Sequence, residues 1–172
     1  ILTAYFISKV YYPDDYKVLM ISNNSSNSVQ CVKRANSLNV WNEVRCIYEF
    51  GKSKEELFAL GNDITIEPDY IIHLYALNNR FAQVLLNKAV DAGTKFILTD
   101  EGYWTFNNFL ECVEKDDSFC WLNFDITKLK IEAWAYEPQM CKVPDYVTAK
   151  RIQLGDALKD ASFCAQMQDE VK

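Results

Sequence analysis

Histidine is almost missing from this chain: among 172 residues only His73 carries an imidazole. Six cysteines are present, at 31, 46, 112, 120, 141 and 164, but none forms a C-x-x-C pair, so no zinc-ligand set can be read. A single His also weakens any Ser–His or Cys–His nucleophile scheme, and no Gly-x-Ser-x-Gly elbow occurs. Glycine-rich fingerprints for dinucleotides or P-loop phosphates are absent. With only five Gly and four Pro, the composition argues against disorder. Basic clusters are lacking as well. Net charge is −6, and the strongest basic groups, Lys33–Arg34 and Lys150–Arg151, are too small to grip a phosphate backbone, so no nucleic-acid partner is expected. No apolar run approaches the ~20 residues of a membrane-spanning helix. The opening residues, Ile1 to Val10, have no basic stretch before their apolar positions and no small-residue cleavage site after them, so they do not read as a signal peptide.

What the chain does have is an ordinary globular balance: 49% apolar residues, 24% charged, and ten Tyr, ten Phe and four Trp. Its length suits one domain that can bury most of its apolar surface without staples. The cysteines are therefore expected to be reduced and mostly buried.

Apolar spacing predicts a helix over residues 1–12, ended by the turn Pro13-Asp14-Asp15. Lys17–Ser22 reads as a strand covered on both faces. The polar loop Asn23–Ser28 leads into a helix to about Leu38, capped by Ser26, Asn27 or Ser28. Val44–Phe50 reads as a second strand. Ser53-Lys-Glu-Glu starts a short helix to about Leu60 with a capping box. Asp69–Leu74 is a third strand, followed by a helix from an Asn78 or Asn79 cap to Ala92, with Gly93 as its stop. Lys95–Thr99 is a fourth strand, Thr105–Val113 a helix, and Ile131–Tyr136 a last strand. Residues 139–154 read as a connection, and Gly155–Val171 as a polar helix. Strands alternating with helices predict an α/β fold: a Rossmann-like, doubly wound, mostly parallel sheet with helices on both faces. A fold of this kind usually opens with a strand, so a further strand is expected before residue 1. Ligands of such sheets sit beyond the carboxyl ends of the strands, which directs attention to Asn23–Ser28, Tyr75–Asn79, Asp100–Thr105 and Glu137–Pro138.

Asp100-Glu101-Gly102 closes the fourth strand. Gly102 permits a turn in which one carboxylate faces a cleft and the other bonds inward. A carboxylate beside another can have its pKa raised enough to serve as a general base. The plainer reading makes Asp100 a helix cap and Glu101 a solvated side chain. His73 suits a strand-end acid or phosphate partner, or a satisfied, half-buried residue. Asn23, Asn24 and Ser25 offer amides, hydroxyls and backbone N–H groups to a sugar or an anion, or simply make a loop and cap. Tyr103 and Trp104 offer a stacking face for a sugar, or fill core. Asp116-Asp117 lies in a charged turn and reads as surface.

On three of these stretches the chain resembles the bacterial sialyltransferases that build lipooligosaccharide and capsular polysialic acid, enzymes of the two-domain GT-B type. Leu2-Thr-Ala-Tyr-Phe-Ile-Ser-Lys-Val-Tyr-Tyr-Pro with Lys17–Ser22 is similar to their opening helix and second strand. Thr99-Asp100-Glu101-Gly102 is similar to their acidic-acidic-Gly motif, and Tyr136-Glu137-Pro138 to the end of a later strand. The resemblance implies a metal-independent inverting glycosyltransferase with no cofactor, whose co-substrate is a nucleotide sugar such as CMP-sialic acid and whose acceptor is a surface glycan. It puts the general base on Asp100, with Glu101 as the alternative. Gly102, Tyr103, Trp104, Asn23, Asn24 and Ser25 are then the expected acceptor contacts. It also implies a cytoplasmic enzyme of polysaccharide synthesis, at the inner face of the bacterial membrane. One departure stands out: the family's His-Pro motif is missing, because Leu74 follows His73. Residues 1–138 are therefore expected to be the acceptor-side half-domain. Residues 139–172 would lead toward a second, nucleotide-sugar domain outside this chain, and the piece alone would be inactive. The alternatives are a non-catalytic α/β binding or assembly module, and a hydrolase or other transferase that uses Asp100 differently.

Overall fold

The computed structural model describes residues 2–24, 26–75, 79–99, 121–123, 131–135 and 147–151. Its architecture is α/β: helices alternate with strands as far as Thr99, and the described strands all pair in parallel. Among the described residues the sheets are small, one of two strands and one of four, and the pattern is that of a Rossmann-like half-domain. The chain divides into two compact units, whose described residues lie within Ile1–Gly51 and within Lys52–Ile152.

The first unit runs α1 (Leu2–Val10), β1 (Val18–Ser22), α2 (Ser28–Ser37) and β2 (Glu43–Ile47). Four successive α1 residues, Ala4, Tyr5, Phe6 and Ile7, are buried, so this turn is covered all round, as its apolar sequence requires. Trp41 secures it: the indole N–H donates to Ser8 Oγ at 2.9 Å, and the ring meets Tyr5 edge-on at 6.3 Å. Asn39, at φ 51°, turns the chain after α2 in the left-handed region that Asn tolerates. β1 pairs with β2 from Val18 opposite Glu43 to Ser22 opposite Ile47. Expected to be covered on both faces, β1 is only half-buried, with Val18 exposed, and among the described residues its one ladder partner is β2. β2 stops at Ile47 rather than Phe50. Asn23 causes this: its Oδ1 accepts the N–H groups of Glu49 and Phe50 at 2.8 and 3.0 Å and takes them out of the ladder.

The second unit contains α3 (Lys54–Asn62), β3 (Ile71–Leu74), α4 (Arg80–Ala92), β4 (Lys95–Thr99), β5 (Ile131–Ala135) and β6 (Val147–Arg151). The sheet order is β3-β4-β5-β6. β6 lies in the stretch that the sequence suggested was a connection. Five residues, V-T-A-K-R, ending in two cations, are too short and too polar to stand out as a strand, and parallel pairing along the whole of β5 supplies what composition does not.

Local signals place the helices. Ser53 and Glu56 form the expected capping box at α3. Asn79 Oδ1 accepts from Ala82 N–H at 2.8 Å to start α4, and Gly93, at φ 72°, ends it, while Thr94 N–H reaches back to the Ala89 carbonyl at 2.8 Å. β4 then begins at Lys95, and its residues Phe96 to Thr99 are all buried, the mark of a strand covered on both faces. α3 and α4 cross where Gly61 meets Val84. Lys88 of α4 fixes this crossing, donating its ammonium to the carbonyls of Gly61, at 2.8 Å, and Ile64, where a cation suits a helix carboxyl end. Among the described residues no helix is long and apolar enough to cross a membrane.

A methyl group at Gly61 would overlap Val84 Cγ1. Gly61→Ala is therefore expected to destabilise the protein by ~1–3 kcal/mol in urea unfolding. Val84→Ala should relieve the overlap, so the double variant should lose less than the sum of the two single losses.

Candidate functional site

Parallel pairing puts all carboxyl ends of a sheet on one edge, and each unit has such an edge. In the second unit the register places His73 beside Ile97, and Ile97 beside Glu132. Because side chains alternate along a strand, His73, Thr99, Glu132 and Trp134 share one face. Thr99, the last residue of β4, is fully buried. Its Oγ1 lies 3.1 Å from His73 Nδ1. The His73 ring meets Trp134 edge-on, with centroids 5.2 Å apart. Trp134 Nε1–H donates to Glu132 Oε2 at 3.2 Å, and Lys95 holds Glu132 Oε1 at 2.9 Å. One connected set of groups thus crosses β3, β4 and β5.

Burial pushes the His73 imidazolium pKa down from its ordinary 6.5 to about 4. The Lys95 cation adds to this, and the Glu132 carboxylate opposes it. At neutral pH the ring is uncharged. It has one N–H and one bare nitrogen, and the Thr99 hydroxyl complements either at Nδ1. Of the two readings open to this residue, the geometry fits the satisfied, half-buried one.

At the first unit's edge, Glu49 follows β2 and is buried. The Ser22 hydroxyl and the Asn24 amide both donate to its Oε1, the latter at 2.9 Å. Asn24 N–H donates to Ser22 Oγ at 3.1 Å, and Asn23 N–H to the Ile47 carbonyl at 3.0 Å. Asn23 and Asn24, expected acceptor contacts, thus both bind Glu49, Asn24 at its carboxylate and Asn23 at its backbone N–H, and Glu49 lies beyond the end of β2 although its sequence suggests strand. Its signal is an acid between two aromatic residues, Tyr48 and Phe50. On either side of Glu49, Tyr48 and Phe50 are exposed.

Asp100, Glu101, Gly102, Tyr103, Trp104 and Ser25 lie outside the described residues, as do Asp116-Asp117 and Glu137-Pro138. Thr99 and Trp134 were not singled out from sequence, since nothing local shows that they meet His73. Cys31 and Cys46 are free thiols, half-buried rather than buried. Among the described residues no group of three or more His, Cys, Asp or Glu stands close enough to hold a metal ion. Comparison with protein-family models, with curated proteins and with solved structures gave no match for this chain.

As the only histidine, His73 gives a resolved NMR titration, with an expected midpoint at about pH 4. Its folded pKa lies below the unfolded value, so between the two the unfolded chain binds more protons. Its contribution is whole above about pH 6.5 and falls away, by up to ~3 kcal/mol, as pH drops to about 4. Denaturant unfolding across this window should show that slope in the native chain and a shallower one in His73→Phe.

Proposed function

We propose that this chain is the acceptor-side domain of a metal-independent inverting glycosyltransferase, similar to the bacterial sialyltransferases, with Asp100 as general base and Glu101 as the alternative. One observation carries the reading. β4 is a buried strand paired in parallel on both edges, it ends at Thr99, and the acidic triplet Asp100-Glu101-Gly102 follows Thr99 directly in the sequence; ligands of such sheets sit beyond the carboxyl ends of the strands. A sugar hydroxyl is a weak nucleophile. A carboxylate there would take its proton as the oxygen bonds to the donor's anomeric carbon and the bond to the nucleotide phosphate breaks. In the first unit, Tyr48 and Phe50 are exposed on either side of Glu49, whose carboxylate Ser22 and Asn24 hold, and such rings suit stacking on a sugar. The donor, a nucleotide sugar such as CMP-sialic acid, would be held by a second domain, and the product would enter a surface polysaccharide made at the inner face of the membrane.

The test is sugar transfer by the complete gene product. Replacing the true base, by Asp100→Ala or Glu101→Ala, should lower kcat by about 10²–10⁴-fold. Unchanged rates in both variants would sink the assignment and favour a non-catalytic module.

A further inference from the structure

At the carboxyl edge of β1 and β2, two side-chain amides are each held by one end. Asn23 Oδ1 accepts the backbone N–H groups of Glu49 and Phe50 at 2.8 and 3.0 Å, and Asn24 Nδ2 donates to Glu49 Oε1 at 2.9 Å. The other ends, Asn23 Nδ2 and Asn24 Oδ1, have no hydrogen-bond partner among the described residues. One presents donors and the other an acceptor, and neither amide can turn over without giving up the bonds that hold it. Asn24 is exposed and Asn23 half-buried, so these open ends are met by water or by a ligand. The stretch they hold carries two exposed rings. Phe50 is 77% exposed, the most of any large apolar side chain among the described residues, and Tyr48 is 62% exposed. Glu49 N–H also reaches the Ile47 carbonyl at 3.1 Å, and Gly51, at φ 78°, turns the chain directly after Phe50. The backbone that bears the rings is therefore ordered.

We propose that Tyr48, Phe50, Asn23 and Asn24 form a binding site for an uncharged sugar ring of the acceptor glycan, with Glu49 as its organiser. The place of that ring in an acceptor rests on the glycosyltransferase reading; the binding itself does not. Asn23 bonds the backbone of Phe50, and Asn24 the side chain of the residue between Tyr48 and Phe50, so the amides and the residues that carry the rings are immediate neighbours. Each part matches one part of the ligand. The C–H face of a pyranose stacks on an aromatic ring. Its hydroxyls both donate and accept, so a fixed donor and a fixed acceptor select how the ring is turned. Glu49 sets the charge: its carboxylate, one bond from Asn24, disfavours an anionic sugar or a phosphate. An apolar protein segment is a poorer match, because covering the rings would strip water from the open amide ends without replacing their bonds. Because the amides are already held, little ordering remains to oppose binding.

The test is an NMR titration of the complete gene product with lactose, maltose, mannobiose and N,N′-diacetylchitobiose. At least one of these sugars should move the side-chain amide signals of Asn23 and Asn24. Tyr48→Ala and Phe50→Ala should each weaken that sugar's binding about three- to tenfold. Asn23→Asp keeps the oxygen that the Glu49 and Phe50 N–H groups need but loses the donors, and should weaken binding about fivefold. Because both rings are exposed, the ring variants should unfold at the native urea midpoint. The anionic comparator, α2,8-linked disialic acid, should bind about tenfold more weakly than the best uncharged sugar, and Glu49→Gln should narrow that gap. In transfer assays the ring variants should raise the acceptor KM, with kcat and donor KM unchanged. If no uncharged sugar moves the amide signals, or if both ring variants bind as the native protein does, this inference falls; the glycosyltransferase reading, tested at the acidic pair, is untouched. Disialic acid bound as tightly as the best uncharged sugar would overturn the choice of ligand. If the ring variants weaken binding while both acidic-pair variants keep full transfer, the sugar site stands and the transferase reading falls.

Discussion

β4 is buried on both faces, and it is paired in parallel on both edges. Almost everything else in the second unit is arranged to make that possible. A parallel neighbour needs a crossover, so α4 must carry the chain from the end of β3 back to the start of β4. It is timed by the Asn79 cap at one end and by Gly93 at the other. α4 in turn lies against α3 only because Gly61 lets the two helices approach at Val84. The Lys88 ammonium then closes the carboxyl end of α3, adding to the Ile64 N–H that the Gly61 carbonyl already accepts. A one-residue slip in β4 would turn Thr99 away from His73 and present Phe96 and Leu98 where Lys95 and Ile97 now lie. The Lys95–Glu132 pair adds little stability at a partly exposed position, but it disfavours that slip.

The two carboxyl edges solve the same problem in different ways. Polar groups must stand where strands end, because ladder hydrogen bonds run out there. In the second unit the answer is a neutral imidazole, a hydroxyl and an indole, each supported by a neighbouring strand. In the first it is a buried carboxylate supplied with donors by Ser22 and Asn24, with Asn23 gathering the next two backbone N–H groups. Burying Glu49 would be costly without those donors, which is why the Asn-rich loop opposite it is short and already committed. Among the described residues, both edges are built from side-chain bonds.

Much of the helix punctuation was legible in the residues themselves. Ser53 with Glu56, Asn79 and Gly93 act within a few positions of their own backbone, and β4 has the bounds that its apolar run suggested. Two strands were not read well. β2 is shortened by Asn23, which lies far from it in the chain, and β6 is sustained by its pairing with β5 rather than by its own residue types. For the sites, Asn23 and Asn24 were picked out by their place after a strand, whereas Glu49, Thr99 and Trp134 were not.

Sequence alone, then, settled what depends on neighbours along the chain: where helices start and stop, and that strands alternate with them in an α/β order. Tertiary structure alone decided which polar groups meet. His73 and Thr99 are separated by a whole crossover, and Ser22 and Glu49 by a helix and a strand. Their encounter depends on sheet register, and register arises from the sum of many weak packing and ladder preferences, none of which is written at the residues that finally touch.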